Sequence, residues 1–251
     1  MTASRAAPVA QRLAALLVAG GRGERMGGTT PKQFRLLEGR MLLMYALEAL
    51  AESPLVHGIV VVVPGGWEDR VREELRRERL HERVESIVRG GETRQQSVRR
   101  GLHVLAQYTH VLVHDAARPF LTQALIRTTV AAVHRKRAAT VAVPVSDTLM
   151  RSAAGEQTAE AVHAIDRQGV WAVQTPQAFE LALLLEAHEE ARRKGLDASD
   201  DGTLVLDLGR TVEFVRGTWW NIKVTREEDV QRARCILKMR QLLADEGFGE
   251  E

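Results

Sequence analysis

The sequence predicts an α/β protein built on a doubly wound, mostly parallel sheet, with a protruding β-arm. Three observations predict it. Apolar runs at residues 13–18, 57–63, 110–114 and 140–145 are too continuous for strands with one wet face, and read as strands buried on both faces. Helix-like stretches lie between them, and this alternation, repeated four times, points to parallel strands joined by crossover helices. The glycine-rich and charged segments follow the carboxyl ends of those strands, where ligands bind in such sheets.

The elements follow in order. Residues 41–51, rich in Leu, Met and Ala, form a helix. The strand at 57–63 is stopped by Pro64-Gly65-Gly66, and 68–80 is a charged, exposed helix. A short strand at 84–88 leads to Gly90-Gly91, and Thr93 caps a helix that runs to about 107. The strand at 110–114 closes on Asp115-Ala116-Ala117-Arg118-Pro119. A helix at 122–136 and the strand at 140–145 complete the regular part.

The rhythm then breaks. Between 146 and 177 no helix of ordinary length is visible. Segments 147–151 and 161–165 alternate like two strands around a turn at 153–156. This stretch is read as a β-arm leaving the body of the domain. An isolated two-stranded arm is marginal in water, so a second copy of the chain is its expected partner. A helix at 180–194, an acidic loop at 197–201, a strand at 211–215 and a last helix from 226 to about 245 follow. Residues 1–12 read as a flexible tail with no signal core, and 13–251 as a single domain.

The composition excludes several classes. With 251 residues and 45% hydrophobic content the chain can bury one full core. No apolar stretch approaches membrane-spanning length, so no membrane partner is expected. Basic residues number 35 and acidic 33, a net charge of +2, which argues against bulk attraction to nucleic acid. The single cysteine, Cys235, rules out an internal disulfide and a cysteine zinc site. It is expected in the core of the last helix, and a reducing cytoplasm is the expected compartment.

The chain is organised around Ala19-Gly20-Gly21-Arg22-Gly23-Glu24-Arg25-Met26, followed by Pro31-Lys32-Gln33. Glycines let the backbone approach a ligand closely, and successive free N–H groups make an anion cradle. Arg25 and Lys32 add positive charge. A Walker A loop requires Gly-Lys-Ser/Thr, whereas Lys32 stands between Pro31 and Gln33. A dinucleotide fingerprint requires a third glycine where Met26 stands. The loop is therefore read as a holder for a nucleotide triphosphate, against the plainer reading of an ordinary βα turn. It is expected to be partly disordered without nucleotide. Asp115, at the end of a buried strand, is placed to hold Mg²⁺, which often takes only one or two carboxylates beside substrate phosphates and water. The plainer reading is a turn cap. The turn at Gly90, Gly91, Glu92 and Ser97 suits a base or ribose, and a capped helix start explains it equally.

These blocks, with Asp147-Thr148, Asp166-Arg167, Gln174-Thr175-Pro176-Gln177 and Asn221-Ile222-Lys223-Val224-Thr225, resemble the 2-C-methyl-D-erythritol 4-phosphate cytidylyltransferases in order along nearly the whole chain. Val113-His114-Asp115-Ala116-Ala117-Arg118-Pro119 is the most specific block. The resemblance implies a Rossmann-like nucleotidyltransferase that transfers a cytidylyl group from CTP to methylerythritol phosphate, releasing pyrophosphate, for isoprenoid precursors. It implies a divalent cation, Mg²⁺, and a homodimer interlocked through the 146–177 arm. Carried onto this chain, Arg25 and Lys32 are the catalytic cations and Asp115 the metal position. Ala19, Gly20, Gly21, Gly23, Gly91, Glu92, Ser97 and Ala116 fall at nucleotide-binding positions. Arg118, Thr148, Arg167, Thr175 and Lys223 fall at positions engaging the acceptor phosphate, some supplied across the dimer.

The chain departs from the family pattern at three places. Trp220 stands where an acidic residue is frequent, Glu92 where aspartate is usual, and Val18 where proline is common. Trp220 keeps open a related cytidylyltransferase acting on another polyol phosphate, such as ribitol 5-phosphate. A non-catalytic, CTP-binding dimeric scaffold is a reading of another class; it would call for lost charge at the site, and Arg25, Lys32 and Asp115 are all present.

Overall fold

β1 (Leu13–Val18) is apolar at every position because both its faces are covered. Leu13, Ala15 and Leu17 enter one hydrophobic core, and Ala14, Leu16 and Val18 the other. β4 (Gly58–Val63) divides in the same way, with Ile59, Val61 and Val63 on one side and Val60 and Val62 on the opposite side. This is the period-two geometry of a strand sandwiched between helix layers. The structure is a computed structural model and describes residues 11–20, 31–152 and 160–245.

The main sheet adds β5 (Val84–Arg89), β6 (His110–Asp115), β7 (Ala138–Pro144), β10 (Trp171–Glu180) and β11 (Glu213–Arg216) to these two. Its seven strands run in the order β11-β7-β10-β6-β1-β4-β5. β1 pairs in parallel with β4 and β6, β4 with β5, and β7 with β11. β10 is antiparallel to both of its neighbours, β6 and β7. A small hairpin of β2 (Leu36–Leu37) and β3 (Arg40–Met41) precedes the first helix.

Helices cover both faces. α1 (Leu42–Glu52), α2 (Glu68–Arg77) and α4 (Gln123–Lys136) bury Leu47, Val71 and Ile126 in the first core. α3 (Arg94–Leu102), α5 (Leu181–Lys194) and α6 (Asp201–Asp207) bury Val98, Leu184 and Val205 in the second. α7 (Glu227–Asp245) closes a third, smaller cluster with Val230, Ala233 and Ile236 over Leu37, Leu42 and Phe120. Thr122 and Thr93 cap α4 and α3 through their side chains, the second as the sequence suggests.

The structure corrects the sequence reading at several points. α3 ends at Leu102 rather than near 107, because tight turns from Gly101 and Leu102 carry Leu105 and Tyr108 down into the core. α6 begins at Asp201, capped by Asp200, inside the stretch expected to be an acidic loop and beyond it. Cys235 is exposed, one position off the buried stripe of α7. β8 (Leu149–Ser152) and β9 (Ala161–Ile165) form the antiparallel arm, but residues 171–177, assigned to it from sequence, belong to the main sheet as part of β10. β10 is disguised because Gln174, Thr175 and Gln177 are buried polar residues around Pro176, where its register against β7 shifts. The expectations for 1–10, for the loop 21–30 and for the arm's turn lie outside the described residues.

Gly101 shows how tightly α3 lies on the sheet. A Cβ there would stand 2.4 Å from Leu16 Cδ1 and 2.9 Å from Val62 Cγ2. Gly101→Ala therefore overpacks the second core, and this outweighs the gain in helix propensity of about 1 kcal/mol. The expected net loss is about 1–2 kcal/mol, which lowers the melting temperature by on the order of 2–8 °C. An unchanged or raised melting temperature would refute the tight fit.

Candidate active site

The site is built on the carboxyl ends of β1 and β6, adjacent strands of the sheet. Ala19 continues β1, donating its N–H to Val62 at 2.7 Å, and Ala116 continues β6, donating to Val18 at 3.0 Å. Gly20 then meets the Gly90 turn. A Cβ on Gly20 would lie 2.4 Å from Ser97 Oγ, and one on Gly90 would lie 3.2 Å from the Gly20 Cα. Only glycine lets these two backbones touch. Ser97 fastens its own turn: its hydroxyl donates to the Thr93 carbonyl at 2.9 Å and accepts from the Gly91 N–H at 3.0 Å. Its role is thus largely internal, while Glu92 beside it is exposed.

Asp115 is the charged centre. Its carboxylate is almost wholly buried and three cations surround it. Arg94 Nε donates to Oδ1 at 3.0 Å, Lys223 Nζ lies 2.7 Å from Oδ2, and Arg118 Nε lies 4.0 Å from Oδ2. Burial alone would raise this carboxyl's pKa. Arg94, then Lys223 and Arg118, more than reverse that, and hold it well below the usual carboxylate range. Arg94 also donates to Asp201 at 2.8 Å, so among the described residues three cations stand against two carboxylates. The pocket carries surplus positive charge, the condition for receiving an anion.

A buried hydrogen-bond chain sets this geometry. The Asp115 N–H donates to Thr175 Oγ1 at 3.1 Å, which directs the threonine hydroxyl proton to His114 Nδ1, also 3.1 Å away. His114 Nε2 then donates to the Arg118 carbonyl at 3.0 Å. Arg118 in turn donates to the Asn221 carbonyl at 2.8 Å, and Asn221 donates its amide to Gln174 Oε1 and to the Thr175 carbonyl. β10, the β6 end and the segment carrying Lys223 are therefore locked together. Burial lowers the His114 pKa to about 4, so the ring is neutral, as this donor pattern requires.

The sequence-derived residues separate into groups. Ala19, Gly20, Gly91, Ser97, Asp115, Ala116, Arg118, Thr175 and Lys223 stand at this end of the sheet. Thr148 and Arg167 are exposed at the foot of the arm; Arg167 donates to the Ser146 carbonyl, and neither residue is bonded to the Asp115 cluster. Gly21, Gly23 and Arg25 lie outside the described residues. Lys32 opens a single 3₁₀ turn whose next residue, Gln33, is buried and donates to the Ala19 carbonyl, which fastens that segment beside the end of β1. Trp220 is exposed, its N–H on Thr218 Oγ1, and it leaves Asn221 buried behind it.

A family model for 2-C-methyl-D-erythritol 4-phosphate cytidylyltransferase (IspD) matches residues 13–239. The chain belongs to the IspD family. A cytidylyltransferase of that name from Thermotoga neapolitana is 41% identical over 232 residues, 92% of this chain and 99% of its own. A bifunctional IspD/IspF enzyme from Desulforudis audaxviator is 42% identical over 94% of this chain, which spans 58% of that longer protein. The crystal structure of the Thermus thermophilus cytidylyltransferase superposes with a TM-score of 0.73 at 36% identity, covering 89% of this chain and 98% of its own.

Whether an IspD site of this form suits a divalent cation is decided by its donors. Among the described residues no three His, Cys, Asp or Glu side chains gather as a cation cage. Asp115 offers one carboxylate, with Oδ2 shared by a half-exposed lysine. The residues fit a magnesium ion that arrives with nucleotide phosphates as its other ligands, and do not fit a resident metal centre.

Sequence reasoning missed Arg94, Asp201, Asn221 and His114 as organisers of the site. His114 and Asn221 sat inside quoted motifs, and partners distant in sequence give them their roles. His114 has a measurable consequence. Its folded pKa of about 4 lies below the ordinary 6.5, so the unfolded chain binds a proton that the folded one refuses. The stabilisation is complete above about pH 6.5 and is lost as pH falls toward 4, by up to about 3 kcal/mol. Denaturant titrations at pH 7, 5.5 and 4.5 should show that slope in wild type and a shallower one in His114→Gln. Equal slopes would refute the assignment.

Proposed function

We propose that this chain transfers a cytidylyl group from CTP to 2-C-methyl-D-erythritol 4-phosphate, giving the CDP-alcohol and pyrophosphate, for isoprenoid precursor synthesis. The observation that carries this reading is the surplus of positive charge gathered on Asp115 at the carboxyl end of β6, beside the Gly20–Gly90 contact. Such a pocket suits a reaction in which two anions must meet.

In the reaction an oxygen of the acceptor phosphate forms a bond to the α-phosphorus of CTP. The bridging α–β bond breaks in line, and pyrophosphate leaves with the electron pair. The acceptor is already ionised at neutral pH, so positioning and charge stabilisation carry the catalysis. Lys223 and Arg118 supply charge to the acceptor phosphate. The Gly90–Gly91 turn and Ala116 border the nucleoside, and Arg25 and Lys32 are the cations assigned to the triphosphate. A divalent cation bound with CTP would neutralise the phosphates further, and Asp115 is the carboxylate that would hold it.

A homodimer through the arm belongs to this proposal. Met150 on β8 and Val162 on β9 are 64% and 55% exposed on a two-stranded hairpin that cannot bury them alone. A second copy that covers them would bring Thr148 and Arg167 to its neighbour's acceptor. A CTP-consuming enzyme with its one cysteine exposed also suits the cytoplasm.

The decisive assay measures CTP-dependent pyrophosphate release with methylerythritol phosphate and, side by side, ribitol 5-phosphate. Turnover should be far faster with the first; preference for the second would move the assignment. Lys32→Ala should lower turnover by roughly 10²–10³-fold, the loss typical of one preorganised donor. Equal turnover in a folded variant would remove Lys32 from the mechanism. Light scattering should give a dimer mass for wild type and a monomer mass for the double variant Met150→Glu/Val162→Glu.

A further inference from the structure

Arg94 makes an unusual bond with Asp115. Arginine usually meets a carboxylate with two parallel N–H groups, Nε and Nη2, one on each oxygen. Here Nε takes Oδ1 at 3.0 Å, but Oδ2 is left to Lys223 at 2.7 Å, and Nη2 is buried without a partner. Nη2 is the donor that a two-pronged pair would have set on Oδ2. What holds the guanidinium back is on its far side. Nη1 donates to Asp201 Oδ2 at 2.8 Å.

Asp201 is itself rigidly placed. It is 1% exposed at the first position of α6. Its other oxygen, Oδ1, accepts from His188 Nε2 of α5 at 2.9 Å, and its backbone N–H donates to Gln177 Oε1 of β10 at 3.2 Å. Gln177 also bonds Thr140 of β7 and Asp200. The anchor therefore reaches across the second helix layer and into β10 and β7.

We propose that Asp201 is a positioning residue for the reaction: by holding Arg94 to a single bond with Asp115, it keeps Oδ2 available to Lys223 and so orients the ammonium that serves the acceptor phosphate. Without its charge Arg94 swings onto Asp115 with both prongs, and Lys223 loses the oxygen that orients its ammonium. The nucleoside side is left in place, because Ser97 and Gly91 fasten the Gly90 turn without Arg94. Asp201 therefore acts on turnover and leaves CTP binding alone.

The proposal rests on the cytidylyl-transfer reading and is tested with Asp201→Asn in the full chain. The measurements are kcat with CTP and methylerythritol phosphate, CTP affinity by calorimetry, and melting temperature. The expected result is a kcat lowered by about 10–100-fold with CTP affinity within about 3-fold of wild type, a split that marks an interaction made in the transition state. A lower melting temperature with kcat unchanged makes Asp201 structural and overturns the proposal. Loss of CTP affinity in step with kcat also overturns it. Should Asp201→Asn not fold, Asp201→Glu keeps the charge but pushes Arg94 by one methylene. A kcat below about one third of wild type with CTP affinity intact is then expected, and an unchanged kcat overturns the proposal. Wild type inactive on these substrates would fail the reaction reading itself and take this proposal with it.

Discussion

One buried carboxylate and the cations around it constrain the rest of this structure. Taking Asp115 out of water is costly, and an ion in such a place persists only when its partners are well placed. Arg94, Lys223 and Arg118 come from three separate segments, so their convergence fixes where α3, the β6 end and the segment before α7 must lie. The buried polar residues of β10 serve the same end. Thr175, Gln174 and Gln177 hold neighbours in position.

The arrangement separates two duties on one end of the sheet. The Gly20–Gly90 contact is a steric device, in which the absence of side chains lets two turns touch. The Asp115 cluster is an electrostatic device, in which three cations converge on buried carboxylates. Ala116 follows β6 between them, and its N–H is tied back to β1. A nucleotide bound at this edge spans both devices, consistent with the habit of open α/β sheets to bind ligands at their carboxyl ends.

The antiparallel strand β10 lets the chain carry both an arm and a closed site. After β7 the chain leaves as β8, returns as β9, and re-enters between β6 and β7 in the opposite direction. This reversal brings Thr175 and Gln174 against the ends of parallel strands, where their side chains reach Asp115 and Asn221. A crossover helix would have delivered a parallel strand with its carboxyl end at the site and no such insertion.

Much of this was legible in the amino-acid order. Local patterning specified the parallel strands, since burial on both faces leaves a run such as Gly58–Val63 with no polar position. Glycine placement and the His114–Arg118 motif pointed to the carboxyl ends of β1 and β6, because backbone approach and strand-end charge are local requirements. Tertiary structure alone decided β10, α6 and the roles of Arg94, Asp201, His114 and Asn221. Their polar side chains show no role in one dimension and gain one only from partners mostly distant in sequence, Arg94 from Asp115 and Asp201, and Asn221 from Gln174 and Thr175. The physical reason is that burial of an apolar residue is declared by its own type, whereas burial of a polar one depends on another residue that sequence proximity does not reveal.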